Sequence, residues 1–169
     1  MEHRWFALWT LTGEEQKARA KLQGIQGIAE AIFLEEELWE RHEGAWKKIR
    51  KALMPGYIFV RCVMTTTVYY AAREAPGVIK WLGKDDNLWP GTIPDSEMRT
   101  VLGLSYGDDP AAILADVEVN KRNRRGYGTL TLNGTQHKIP FNAYKQPDAP
   151  AGDTSPQTEE GEDSPEPDA

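Results

Sequence analysis

The chain has 169 residues, of which 40% are apolar and 27% charged, with one cysteine and three histidines. That leaves room for one ordinary domain or a domain with a small appendage, and no apolar run nears the roughly 20 residues a membrane span needs. A lone Cys62 excludes an internal disulfide and, with only His3, His42 and His137 to join it, an ordinary structural zinc site. No secretory signal is visible after Met1. A cytoplasmic protein without cofactor is expected.

Trp5–Leu11 is apolar on both alternating faces and predicts a strand covered on both sides. Thr12 followed three residues on by Glu15 reads as a capping box, so a helix is expected from about Glu14 to Gly24. Residues 32–53 admit two readings. Leu34, Leu38 and the run Glu35-Glu36-Glu37 favour a helix. A hairpin turning near Gly44 would instead set Glu37, Glu40 and Glu43 against Lys47, Lys48, Arg50 and Lys51 as cross-strand pairs. Pro55-Gly56 breaks the chain, and Tyr57–Val63 is a second strand. Thr65-Thr66-Thr67 can cap a short helix that Pro76-Gly77 must stop. Val78–Leu82 is a further strand. Pro94-Asp95-Ser96 opens a helix carrying Met98, Val101 and Leu102 on one face, with Gly103 suited to its end. The order β-α-β-β-α-β with a trailing helix is the split βαβ pattern of an α+β, ferredoxin-like sandwich.

Beyond Asp108-Asp109-Pro110 the character changes. Asp116–Asn120 alternates, Lys121–Gly126 is basic, and Asn133-Gly134 between Thr129–Leu132 and Lys138–Phe141 is a strong hairpin signal. Residues 146–169 carry eight of the 26 acidic residues and no Lys or Arg, so 1–145 is a body of +2 with a tail of −8. Such a tail cannot bury enough apolar surface to order itself. It reads as a solubiliser, or as a decoy strand that keeps a nucleic-acid surface from nonspecific binding. The expected division is 1–107, 108–145 and 146–169.

Gly103-Leu104-Ser105-Tyr106-Gly107 matches the G-x-S-x-G elbow of hydrolases, and Asp116 and His137 follow in order. The motif needs a strand before the serine, whereas a helix is expected there. Cys62 lies mid-strand without a basic neighbour and reads as a packing residue. No catalytic residues are assigned. Two basic clusters, Lys47-Lys48-Ile49-Arg50-Lys51 and Lys121-Arg122-Asn123-Arg124-Arg125, are solvated faces or nucleic-acid backbone contacts. Six Trp and six Tyr exceed what so small a core hides, so part of them should form a surface patch fit for a partner helix.

Four blocks then stand in order: Trp5–Glu15, Leu53-Met-Pro-Gly-Tyr-Ile-Phe-Val60, Ala75-Pro-Gly-Val-Ile-Lys-Trp-Leu-Gly83 and Ile93-Pro-Asp-Ser-Glu-Met98. Over about residues 4–104 they resemble the N-terminal (NGN) domain of the NusG family. The resemblance implies a transcription elongation factor that lays an apolar patch on the β′ clamp helices of RNA polymerase, reaches the β gate loop and favours processive elongation or antitermination. It also implies strand and hairpin for residues 32–53. By position, the clamp-helix patch would be Trp9, Met54, Pro55 and Tyr57 with Met98 and Leu102 at its edge. Thr65, Thr66 and Thr67 would approach the gate loop. Lys47, Lys48, Arg50, Lys51 and Arg73, with Lys121, Arg122, Arg124 and Arg125 from the second cluster, would meet DNA or RNA backbone.

The chain departs from the family pattern twice. Glu74-Ala75 stands where pause-promoting relatives carry Asn-Thr, and a carboxylate there would repel a nucleic-acid strand. Residues 116–145 resemble only the final hairpin of the five-stranded KOW barrel, too little to close one, which suggests a specialised paralogue and leaves Rho and ribosome contacts open; a monomer is expected. The alternative is a nucleic-acid-binding module that uses its basic loops without polymerase.

Overall fold

In the computed structural model the described residues are 2–83 and 89–143. Strand β1 (Arg4–Thr10) is central: it pairs antiparallel with β5 (Tyr57–Cys62) on one side and β6 (Val78–Trp81) on the other. Adding β2 (Ile28–Ile32) against β5 gives a four-stranded sheet of order β2-β5-β1-β6. Because β1 is apolar at every inner position, both of its faces are covered. Phe6, Leu8, Ile58, Val60 and Cys62 pack on Ala18 and Leu22 of helix α1 (Glu15–Gln23) and on Val68 and Ala72 of α2 (Thr66–Arg73). Trp5, Ala7 and Phe59 point the other way, into a core shared with Met98, Val101 and Leu104 of α3 (Asp95–Ser105). The α+β sandwich is thus present. No helix among the described residues is long and apolar enough to cross a membrane.

Thr65 caps α2 as expected, its Oγ1 accepting the Val68 N–H at 3.2 Å. The capping box of α1 does not form: Glu14 holds the N-cap position without a side-chain cap. Glu15, only 5% exposed, is used otherwise. Its Oε1 accepts the Gly13 N–H and its Oε2 the Gly56 N–H, both at 2.8 Å. A charged acceptor shared by two backbone donors offsets the cost of its burial. It also ties the Pro55-Gly56 turn to the start of α1. Gly56 sits at φ 86 with its carbonyl accepting from Thr10, and an added Cβ would come within 3.3 Å of the Trp9 indole nitrogen. Helix α3 runs through Gly103 to Ser105 rather than stopping there.

Residues 35–52 are a hairpin, β3 (Glu35–His42) and β4 (Ala45–Ala52), turned by Glu43 and Gly44 at positive φ. The helix-favouring glutamates are overridden by cross-strand neighbours: Leu38 faces Ile49, and Glu37 faces Arg50. After a short helix α4 (Pro110–Ile113), capped by Asp109, comes a three-stranded sheet β7 (Ala115–Asn120), β8 (Arg125–Leu132) and β9 (Thr135–Asn142). The Asn133-Gly134 turn joins β8 to β9 with both residues at positive φ, and β7 adds a strand on the far side of β8. The tail expected at 146–169 lies outside the described residues.

Candidate functional site

The residues singled out for an apolar patch all belong to one side of the four-stranded sheet or to its rim. Trp9 and Tyr57 are register partners across β1 and β5, hence neighbours on one face. Lys80, the partner of Trp9 in β6, lays its ammonium 5.7 Å from the indole centroid. Pro55 is exposed, Trp9 is 42% exposed, Tyr57 and Leu102 are half-buried, and Met54 and Met98 are 3% and 1% exposed.

What buries the two methionines is partly the C-terminal sheet. Met54 and Met98 share one cluster with Leu130, Leu132, Ile139 and Phe141 of β8 and β9 and with Leu114. His137 of β9 meets Tyr57 edge-on, ring centroids 5.4 Å apart. Burial pushes the His137 pKa below its ordinary value. Two carboxylates complete the attachment. Glu97 of α3 accepts the Asn133 N–H at 2.6 Å, and Glu36 of β3 accepts the Asn142 N–H at 3.1 Å. Within the C-terminal segment β8 packs closely on the end of α4, because it carries glycine where a side chain would collide: a Cβ on Gly128 would lie 2.5 Å from the Leu114 Cβ. Sequence reasoning did not foresee that β8 and β9 pack on Met54 and Met98.

Thr65, Thr66 and Thr67 are exposed at the start of α2, away from this cover. The basic residues divide into two kinds. In the hairpin, Lys48 pairs with Glu37 (3.5 Å), Arg50 with Glu35 and Glu37 (3.5 and 3.3 Å) and Lys51 with Glu40 (3.2 Å). Most of that cluster's charge is therefore compensated on its own hairpin, while Lys47 has no ion pair among the described residues. In the β7–β8 turn, Lys121, Arg122, Arg124 and Arg125 are all exposed. Asn123, Arg124 and Arg125 share a cleft of about 370 Å³ with Trp39, Trp46 and Lys51 of the hairpin. Arg73 ends α2 with its guanidinium 5.8 Å from the Tyr69 ring.

An aromatic group missed in the sequence lies on the α2 side. Tyr69 stacks between Trp81 (6.4 Å) and Trp89 (5.4 Å), and Trp89 and Tyr70 are exposed. Their spacing in the chain carries no period, so only the fold unites them. Ser105 ends a helix, so the G-x-S-x-G run is not a strand–turn–helix elbow. Cys62 is fully buried and its thiol is pushed up to about 11 by that burial, which suits packing rather than attack. Among the described residues no group of His, Cys, Asp and Glu could hold a metal ion.

The described residues form a small α+β protein in which one apolar sheet face is packed partly against the chain's own C-terminal sheet. Residues 3–102 match the family model described as "Transcription termination factor nusG". The transcription termination/antitermination protein NusG of Staphylococcus carnosus is 30% identical over 129 residues, covering 72% of this chain and 70% of the relative. That of Bacillus subtilis is 34% identical over 110 residues, covering 60% and 62%. That of Thermus thermophilus is 30% identical over 118 residues, covering 62% and 63%. The chain thus matches about 60–70% of the length of these relatives. A solved structure described as "Domain interaction in Thermotoga maritima NusG" shares the fold at a TM-score of 0.57 and 18% identity, covering 85% of this chain and 95% of that one. The chain belongs to the NusG family and carries its N-terminal NGN domain. Members of the family are transcription factors, not enzymes.

Proposed function

We propose that this chain is a transcription elongation factor that binds RNA polymerase and favours processive elongation or antitermination. Its N-terminal unit, 1–107, docks the β′ clamp helices on the face of Trp9, Met54, Pro55 and Tyr57, with Met98 and Leu102 at the edge. Thr65–Thr67 face the β gate loop. Lys47, Arg73 and the Lys121–Arg125 turn lie against nucleic-acid backbone, with Lys48, Arg50 and Lys51 contributing less because their glutamate partners screen them. The protein acts as a monomer in the cytoplasm.

The observation that carries this reading is the C-terminal sheet itself. The face that would receive the clamp helices already holds an apolar surface, supplied by Leu130, Leu132, Ile139 and Phe141. A partner that needs Met54 and Met98 must displace residues 108–145. Its measured affinity is then lowered by the fraction of molecules that are open. The described part of the C-terminal segment, 108–143, is accordingly read as a cover on the patch.

The test is binding of the full chain to core RNA polymerase. Tyr57→Ala and Trp9→Ala should each weaken it by about 1–3 kcal/mol, as buried aromatic anchors do. A folded double variant that binds as well as the wild type refutes the reading. If polymerase binding is absent from the start and oligonucleotide binding persists, the chain is a nucleic-acid module instead.

A further inference from the structure

Where the described chain ends is informative. The Ala143 N–H donates to the Arg124 carbonyl at 2.9 Å, and Asn142 is the register partner of Arg125. The chain therefore departs from the edge of the β7–β8 turn, and the segment that follows within three residues, 146–169, holds eight carboxylates and no cation. We propose that this acidic segment docks on the Lys121–Arg125 turn of its own chain and screens it from other polyanions.

The turn is suited to the task. Asn120 Oδ1 accepts the N–H groups of Arg122 (2.9 Å) and Asn123 (3.4 Å), and Asn123 Oδ1 accepts that of Arg125 (3.0 Å). These bonds fix the backbone, with Arg124 at φ 60, so four cations project from a preformed loop. Its charge is also uncompensated in a way the hairpin's is not: Lys121, Arg122 and Arg125 have no ion pair among the described residues, whereas Lys48, Arg50 and Lys51 each have a glutamate. The acidic segment thus follows in sequence directly after a strand end bonded to this turn, and Lys121, Arg122 and Arg125 are exposed there. Tethering through so short a connection sets an effective concentration on the order of millimolar. Even individually weak charge pairs are then populated at low salt, and they yield as screening shortens to about 8 Å at physiological ionic strength.

The docking stands on charge and chain geometry alone; its consequence for nucleic acid rests on reading the turn as a nucleic-acid contact. Both are testable in the full chain. A nitroxide is placed on Ser164→Cys; Cys62, buried with its thiol pushed up to about 11, does not compete for the label. The amide signals of residues 120–125 should broaden at low salt. They should recover at high salt and in the variant combining Lys121→Glu, Arg122→Glu, Arg124→Glu and Arg125→Glu. Unbroadened turn amides at low salt, or broadening that the charge reversal leaves unmoved, overturns the proposal. In the second arm, changing all eight tail carboxylates to Asn or Gln should tighten binding of a random-sequence 20-nucleotide single-stranded DNA by about 3–10-fold at low salt. Equal binding with the broadening intact counts against the nucleic-acid reading of the turn and leaves the docking established.

Discussion

The two faces of the four-stranded sheet are equally apolar and are closed by different means. On one, α1 and α2 are joined to the strands they cover by turns of a few residues, and the core of Leu8, Leu22, Ile58 and Val60 lies under helices that are also held locally, the Gln23 side chain accepting the Ala31 N–H at 3.2 Å and the Trp81 indole donating to the Tyr69 carbonyl at 3.0 Å. On the other, α3 covers part of the surface and the rest is closed by β8 and β9, elements from the far end of the chain. That second closure leaves Trp9 partly exposed and Tyr57 half-buried, and it is fastened by backbone bonds to Glu97 and Glu36. Equal hydrophobicity does not make equal permanence. The helical face is closed by elements that are neighbours in the chain, while the opposite face, which we propose as the docking surface, is closed by elements from the far end of the chain.

Cavity-forming substitutions should separate the two most sharply. Ile58→Ala on the helical face should cost about 2–5 kcal/mol of global stability, because the site is fully buried among elements that fold together. Ile139→Ala removes similar volume from the cover. Its loss should fall on local opening, with amides of β8 and β9 losing hydrogen-exchange protection while those of β1 and β5 keep theirs. Loss of protection in all strands together would show the two faces to be one cooperative unit. Glu97→Ala goes further, since it removes the carboxylate that fastens Asn133 of the cover to α3. By raising the open fraction it should increase affinity for RNA polymerase several-fold while the β1–β5 pairing survives. An affinity that falls with the cover displaced would break the comparison.

Much of the permanent face was legible in the chain because its signals are local. Alternation along Trp5–Thr10 and Tyr57–Cys62 and the Thr65 cap each involve residues close in sequence, as does the Asn133-Gly134 turn on the opposite side. Glu15 misled because a capping box and a long-range acceptor look identical in sequence, and only the fold brings Gly56 within its reach. Residues 35–52 misled local propensity because the partners that stabilise the strands face one another across a turn. The patch residues were identifiable from the family resemblance, but the burial of Met54 and Met98 depends on side chains of β8 and β9, and no periodicity in one segment reports what another segment covers.

A smaller effect should follow from pH. His137 is half-buried against Tyr57, and its pKa is lowered by desolvation, so the closed cover holds it neutral. In the open state the imidazole regains its ordinary value near 6.5 and binds a proton first as pH falls. The open state then binds more protons than the closed one, so closure is at full strength above that value and weakens as pH drops toward the lowered one, below which no further change occurs. Hydrogen exchange in β9, corrected for intrinsic rates, should report faster opening across this window. The dependence should vanish in His137→Gln; its persistence there would assign it to another group.

The weakest expected effects belong to the exposed charges of the hairpin, which touches the second closure through Glu36. Its cross-strand ion pairs are numerous, yet Lys48, Arg50 and Glu37 are each about half exposed at the side chain. Solvent screens such pairs and holding two long side chains in place costs entropy, so Glu37→Gln should change stability by only about 0.2–1 kcal/mol. Its more informative effect is electrostatic. Glu37 pairs with both Lys48 and Arg50, so neutralising it releases Lys48 and leaves Arg50 with Glu35 alone. The hairpin should then gain salt-sensitive affinity for single-stranded DNA, steepening the dependence on salt by up to about one or two phosphate contacts. An unchanged salt slope would show that the compensated hairpin contributes nothing to nucleic-acid binding and that the β7–β8 turn carries it alone.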